Sequence, residues 1–234
     1  MDVVWYERED VKDQLLIFGR GIQGVSPFDV ILEPDPAKCH SGSCSFTDRR
    51  ITVNPTLFSA PDREQYLLTK GLLVHEAGHR RHTTPLYLPP ITWEIANILE
   101  DERIENRMHE EFIGVQWLIM KLARRFYKDS RHLDPTSESP DEVVAYFLQL
   151  RWALRIGQPV KGALSPLNQQ LWEEIKPLVF DAWHAANTES VNQLAEEITE
   201  ILGLTRLETG DQSSPERNVS NTPPSGETIT SERK

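Results

Sequence analysis

Pro61 opens a stretch that runs without another proline until Pro85, Pro89 and Pro90 break the chain. Inside it Leu67, Gly71, Val74 and Gly78 recur at steps of three and four, the spacing that puts side chains on one face of an α-helix. Ser59 stands ahead as a candidate N-cap, with Asp62 in the first turn. The pattern predicts one long helix over residues 61–83. Ala77 and Gly78 leave room on it for another element to approach closely.

The rest of the chain arranges itself around that helix. A short helix carrying Val11, Leu15, Leu16 and Phe18 is expected to end near Gly19-Arg20-Gly21. The β-branched runs 28–32 and 51–54 read as strands, the second stopped by Pro55 and therefore assigned to a sheet edge. Residues 39–48, with Gly, Ser and Asp, read as a loop. Helices are expected over 91–110, 112–127, 140–156, 166–186 and 188–202. Residues 205–234 hold almost no large apolar side chain, too few to offset the entropy of ordering, and read as a disordered tail. The fold class is therefore α+β and mostly helical: a small β-sheet before the long helix and a helical bundle after it. The organisation expected is a core over 1–127, a helical extension over 128–204 and the tail.

Composition removes several functions. The chain has 234 residues, 38% hydrophobic, with a formal net charge of -11. A surface that acidic argues against nucleic acid and against docking on anionic lipid. No apolar run approaches the roughly 20 residues that a membrane helix needs. Met1 to Asp10 lacks the basic start and apolar run of a secretory signal, and cysteines number only two. These features point to the cytoplasm.

The long helix carries His75-Glu76-Ala77-Gly78-His79. On a helix the two histidines fall one turn apart on one face, so both imidazoles reach a single metal ion. The glutamate between them lies beside the ion, where it can take a proton from bound water and pass it on to a leaving amine. Zinc is the metal this pattern suits, and Glu76 is the candidate general base. A catalytic zinc needs a third protein ligand and one open position. His82 is seven residues from His75, about 10 Å along a straight helix, too far to share the ion. The acidic run from Asn97 to Glu105 is the better source: Asp101 lies 22 residues past His79, and Glu100 and Asp101 face away from Ile95 and Leu99. Either acid fits as the third ligand, and Glu105, one turn further, can hold a histidine N–H.

These two segments together resemble the metallopeptidase-like domain that accompanies von Willebrand factor A domains in some bacterial and phage proteins. That group includes relatives of a cobaltochelatase partner subunit and of the nitric-oxide-reductase activation protein. The second segment is similar to their L-E-D-x-R-I-E signature, and the resemblance covers roughly residues 25–125. It implies a zincin-like, gluzincin-type core that binds zinc, with Glu76 as base, and it favours Asp101 over Glu100. It also implies an A-domain or ATPase-type protein partner. The chain departs from the family at Asp211-Gln212-Ser213-Ser214-Pro215, which lacks the second spaced serine of an A-domain metal site.

Two functions follow as expectations. The first is a zinc metallopeptidase acting on a peptide or protein. The second is a catalytically silent scaffold of the same fold that binds a protein partner. Among other residues, Cys39, His40 and Cys44 offer three clustered ligands where structural zinc uses four, so two free thiols are expected there. Tyr87 is weighed as an oxyanion donor against packing on the neighbouring prolines. Arg103 is assigned to an ion pair with Glu100 or another nearby acid. Trp152, Trp172 and Trp183, at helical spacing, are assigned to the core.

Overall fold

A computed structural model describes residues 4–204 and the backbone of residues 220 and 221. The expectation for the remainder of the tail lies outside the described residues. After a 3-10 turn at Trp5–Glu7, the order is α1 (Glu9–Ile22), β1 (Asp29–Leu32), β2 (Gly42–Ser45), β3 (Arg50–Val53), α2 (Asp62–His82), α3 (Pro90–Glu111), α4 (Gln116–Asp129), α5 (Asp141–Ile156), α6 (Pro166–Trp183), α7 (Thr188–Ile201) and β4 (Ser220–Asn221). The architecture is α+β and mostly helical, with a small sheet preceding α2.

Four local expectations change. Residues 39–48 contain strand β2, whose small residues carry little strand signal. Strand β3 is central rather than at the edge: it pairs parallel with β1 and antiparallel with β2, in the order β1-β3-β2-β4. Pro55 lies past the end of β3, so it withdraws no donor from the ladder. Helix α2 begins behind Pro61 with no side-chain cap, so Ser59 does not serve as one. The helix predicted over 112–127 starts at Gln116, after a turn that Val115 closes on Phe112.

Two apolar cores meet at α2 and α3. The first gathers Leu15, Val30, Ile51, Val53, Leu72, Leu73, Leu118 and Leu122, joining α1, the sheet, α2 and α4. The second gathers Ile95, Leu99, Phe147, Trp172, Ile175 and Ile198, joining α3 to α5, α6 and α7. Trp152, Trp172 and Trp183 are all buried. The 128–204 extension is thus packed on α3, while Met108 of α3 reaches the first core.

Helix α2 is buried on every side from Gly71 to His79 because three layers press on it. Glycines make this possible. A Cβ at Gly71 would stand 3.2 Å from the Leu118 carbonyl of α4, and one at Gly78 would stand 3.1 Å from Met108 of α3. On the sheet side, a Cβ at Gly42 of β2 would stand 3.1 Å from the carboxyl carbon of Glu76. The sheet and two helices therefore fix the rotation of α2 and direct His75 and His79 toward α3. No helix among the described residues is long and apolar enough to cross a membrane.

Candidate metal centre

The packing of α2 against α3 brings His75, His79 and Asp101 together, and this is the group of potential metal ligands among the described residues. Asp101 Oδ1 lies 3.5 Å from His75 Nε2 and 3.2 Å from His79 Nε2. Two ligand atoms about 2.0–2.1 Å from a tetrahedral ion stand about 3.3 Å apart, so both spacings match an edge of such a site. The two rings are nearly perpendicular, at 82°.

The Nδ1 sides of both rings are occupied. His75 Nδ1 donates to Glu105 Oε1 at 2.9 Å. His79 Nδ1 donates to Thr83 Oγ1 at 3.0 Å, and the Thr83 hydroxyl in turn donates to Glu100 Oε1 at 2.8 Å. Protons held on Nδ1 by these partners make Nε2 the metal-facing atom of each ring; without metal, His79 Nε2 donates to Asp101 Oδ1 at 3.2 Å, and a metal takes the place of that proton.

Glu100, considered beside Asp101 as the third ligand, is placed elsewhere. Arg103 grips it through Nε at 2.7 Å and Nη2 at 2.6 Å, and Thr188 of α7 donates to it at 2.9 Å. Arg103 is thereby committed to an ion pair and to the His82 carbonyl. His82 lies 3.4 Å from Glu111, outside the group. Tyr87 is 93% exposed, so it does not pack on the prolines. Cys39 and Cys44 are free and buried, while His40 is exposed, so the three form no metal group.

Helix α5 contributes what sequence reasoning missed. Arg151, 3% exposed at its side chain, donates to Asp101 Oδ2 at 2.7 Å and to Glu105 Oε1 at 2.9 Å. Arg155, one turn on, bonds Glu102 at 2.8 Å and Glu105 at 3.1 Å. Asp101 is therefore clamped on Oδ2 with Oδ1 turned to the histidines. The acidic run from Asn97 to Glu105 is not a solvated face but a buried ionic lattice. Arg151 and Arg155, at i and i+4 in the largely apolar stretch 143–156 of α5, were the local signal for it.

Electrostatics follow from this lattice. Burial disfavours charge on His75, but Asp101, the bond from Glu105 and the charges of Glu105 and Glu76 outweigh it and raise its pKa to about 9. Burial alone would raise the pKa of Asp101; His75, Arg151 and His79 instead hold it well below the usual carboxylate range. Glu105 is likewise held down, to about 2, by Arg151, Arg155 and His75 against its burial. Glu102 moves the other way, because burial and the Glu105 charge prevail over its arginines. Burial, reinforced by Glu76, pushes the Cys44 thiol far up and that of Cys39 to about 12, so both are protonated at neutral pH.

The centre is occluded. Glu76 is 1% exposed and His79 3%, with Asp101 and His75 retaining slightly more access. No known protein family, curated protein or solved structure matches the chain.

Proposed function

We propose that this chain binds one zinc ion through His75 Nε2, His79 Nε2 and Asp101 Oδ1, and that it is a metallopeptidase of zincin type. The observation that carries the reading is the ligand triangle with both Nδ1 atoms already held by Glu105 and Thr83. The donor set of two imidazoles and a carboxylate suits zinc, and leaves a fourth position for water. Zinc bound there would lower the pKa of that water and polarise a substrate carbonyl.

This chain's own residues account for the remaining steps. Glu76 follows His75 on α2, packs against Gly42 of β2, and lies near enough to His75 for its charge to help raise that ring's pKa, which supports its role as base. As a carboxylate it accepts a proton from the attacking water and returns it to the nitrogen of the leaving amine, so that one proton is moved and none is lost. Arg151 keeps Asp101 ionised and oriented, and Glu105 keeps the His75 ring from turning. The substitution Glu76→Gln is expected to retain the metal and to abolish hydrolysis of a casein or peptide-library substrate. Cleavage at the wild-type rate by that variant refutes the mechanism.

One observation favours a second reading. With Glu76 and His79 almost fully covered, the ion would serve to brace α2 on α3 within a scaffold that binds a protein partner, of A-domain or ATPase type by the resemblance of its motifs. A metal-loaded wild type that cleaves no member of a broad peptide library supports this reading over the first.

A further inference from the structure

On the far side of α2, its N-terminal half and α4 enclose a groove unconnected with the metal ligands. Its wider part, about 530 Å³, is lined by Pro61, Arg63, Glu64, Leu67, Trp117 and Lys121. A narrower part, about 150 Å³, shares Glu64 and Lys121 and continues past Leu68 to Arg124, Arg125 and Lys128. The groove thus combines apolar Pro61, Leu67, Leu68 and Trp117 with the cations Arg63, Lys121, Arg124, Arg125 and Lys128, and Glu64 is the one acid among the lining residues.

Two features set it apart from an ordinary solvated helix face. Arg125 is paired with Asp129, but Arg63, Lys121, Arg124 and Lys128 make no ion pair among the described residues. By contrast, Arg103, Arg151 and Arg155 are absorbed into the ionic lattice around α3. Trp117 is also 45% exposed, and Ile113, four residues before it, is 92% exposed. Large apolar side chains left open beside uncompensated cations mark an interaction surface.

We infer that this groove is a docking site for an acidic protein segment, a short amphipathic helix with apolar side chains on one face and carboxylates flanking them. Charge complementarity selects this occupant, because five cations and one acid line the groove beside Pro61, Leu67, Leu68 and Trp117. A nucleic acid suits it less: the cations from Lys121 to Lys128 span only about 10 Å of α4, and a net charge of -11 repels an extended polyanion. The inference is independent of the metal centre.

The test uses the full chain and a fluorescein-labelled peptide of about 16 residues, with Leu at i, i+3, i+4 and i+7 and Glu at the other positions. Fluorescence anisotropy is expected to show saturable binding to wild type. The double variant Lys121→Glu/Arg124→Glu, or Lys121→Ala/Arg124→Ala should the first lose its helical circular dichroism, is expected to weaken binding at least about tenfold. Trp117→Ala on the protein, or Ser for Leu in the peptide, is expected to weaken it by a similar factor. Equal binding to wild type and the double variant overturns the inference, as does no saturation at about 0.1 mM peptide. So does equal binding of the Ser-substituted peptide. Tighter and equally charge-sensitive binding of single-stranded DNA or phosphatidylserine vesicles overturns it in favour of those ligands.

Discussion

Removing the guanidinium of Arg151 should convert a stable apo-protein into one that depends on metal. Arg151→Met keeps most of the side-chain volume but leaves Asp101 without the one arginine that pairs with it among the described residues, at 2.7 Å, and Glu105 and Glu102 without one of theirs, at 2.9 and 3.6 Å. Arg155 still reaches Glu102 and Glu105, but not Asp101. Stripping one partner from a buried ion pair costs about 3–5 kcal/mol, because the desolvated charge left behind is uncompensated. That is a large share of the roughly 5–15 kcal/mol that holds a typical domain together. A bound dication replaces the missing positive charge next to Asp101, so the metal-loaded variant should lose much less. Urea denaturation followed by circular dichroism, with EDTA and with excess zinc, measures both differences. The account predicts a loss of about 3–5 kcal/mol in EDTA and at most about half of that in zinc. Equal losses in the two conditions, or an apo-variant as stable as wild type, would show that Arg151 does not neutralise the ligand carboxylate.

Other predictions concern the base and the protons. Gly42→Ala drives a methyl group against the Glu76 carboxyl; overpacking should cost about 1–3 kcal/mol in urea melts, and hydrolysis should fall while zinc content stays near one per chain. Wild-type stability there refutes the close approach. In the apo-protein His75 has its pKa raised from 6.5 to about 9, so metal must displace its proton at pH 7. Competitive titration should show zinc affinity rising about tenfold per pH unit and levelling near pH 9. The sign reverses for the stability of the apo-protein. A raised pKa contributes stability that is complete below pH 6.5 and is lost as pH climbs through 9. Apo-protein melts should therefore weaken over that interval; a flat profile contradicts the His75–Asp101–Glu105 interaction.

Helices proved legible wherever periodicity and proline agreed. Pro61 and Pro85 bracket α2, and Pro89 and Pro90 start α3, because proline fixes a first turn and cannot continue a helix. The approach of Asp101 to His79 was open to spacing arguments, since the candidate ligands lie on two consecutive helices, α2 and α3, joined by a short connection. Strand β2 was hidden: Gly42, Ser43, Cys44 and Ser45 carry little strand propensity, and at Gly42 the Glu76 carboxyl occupies the space a Cβ would need. Arg151 and Thr188 were out of reach because they arrive from 50 and 88 residues away from their partners Asp101 and Glu100, where no local spacing operates. Thr83, four residues past His79 at the C-cap of α2, lies within the range of local spacing.

The measurement that bears most directly on the central claim is the metal content of purified wild type, His75→Ala, Asp101→Ala and Glu100→Gln after zinc loading and gel filtration. The account predicts about one zinc per chain in wild type and in Glu100→Gln, and none in the other two. A wild type that holds no zinc, or an Asp101→Ala variant that keeps it, would contradict the ligand set.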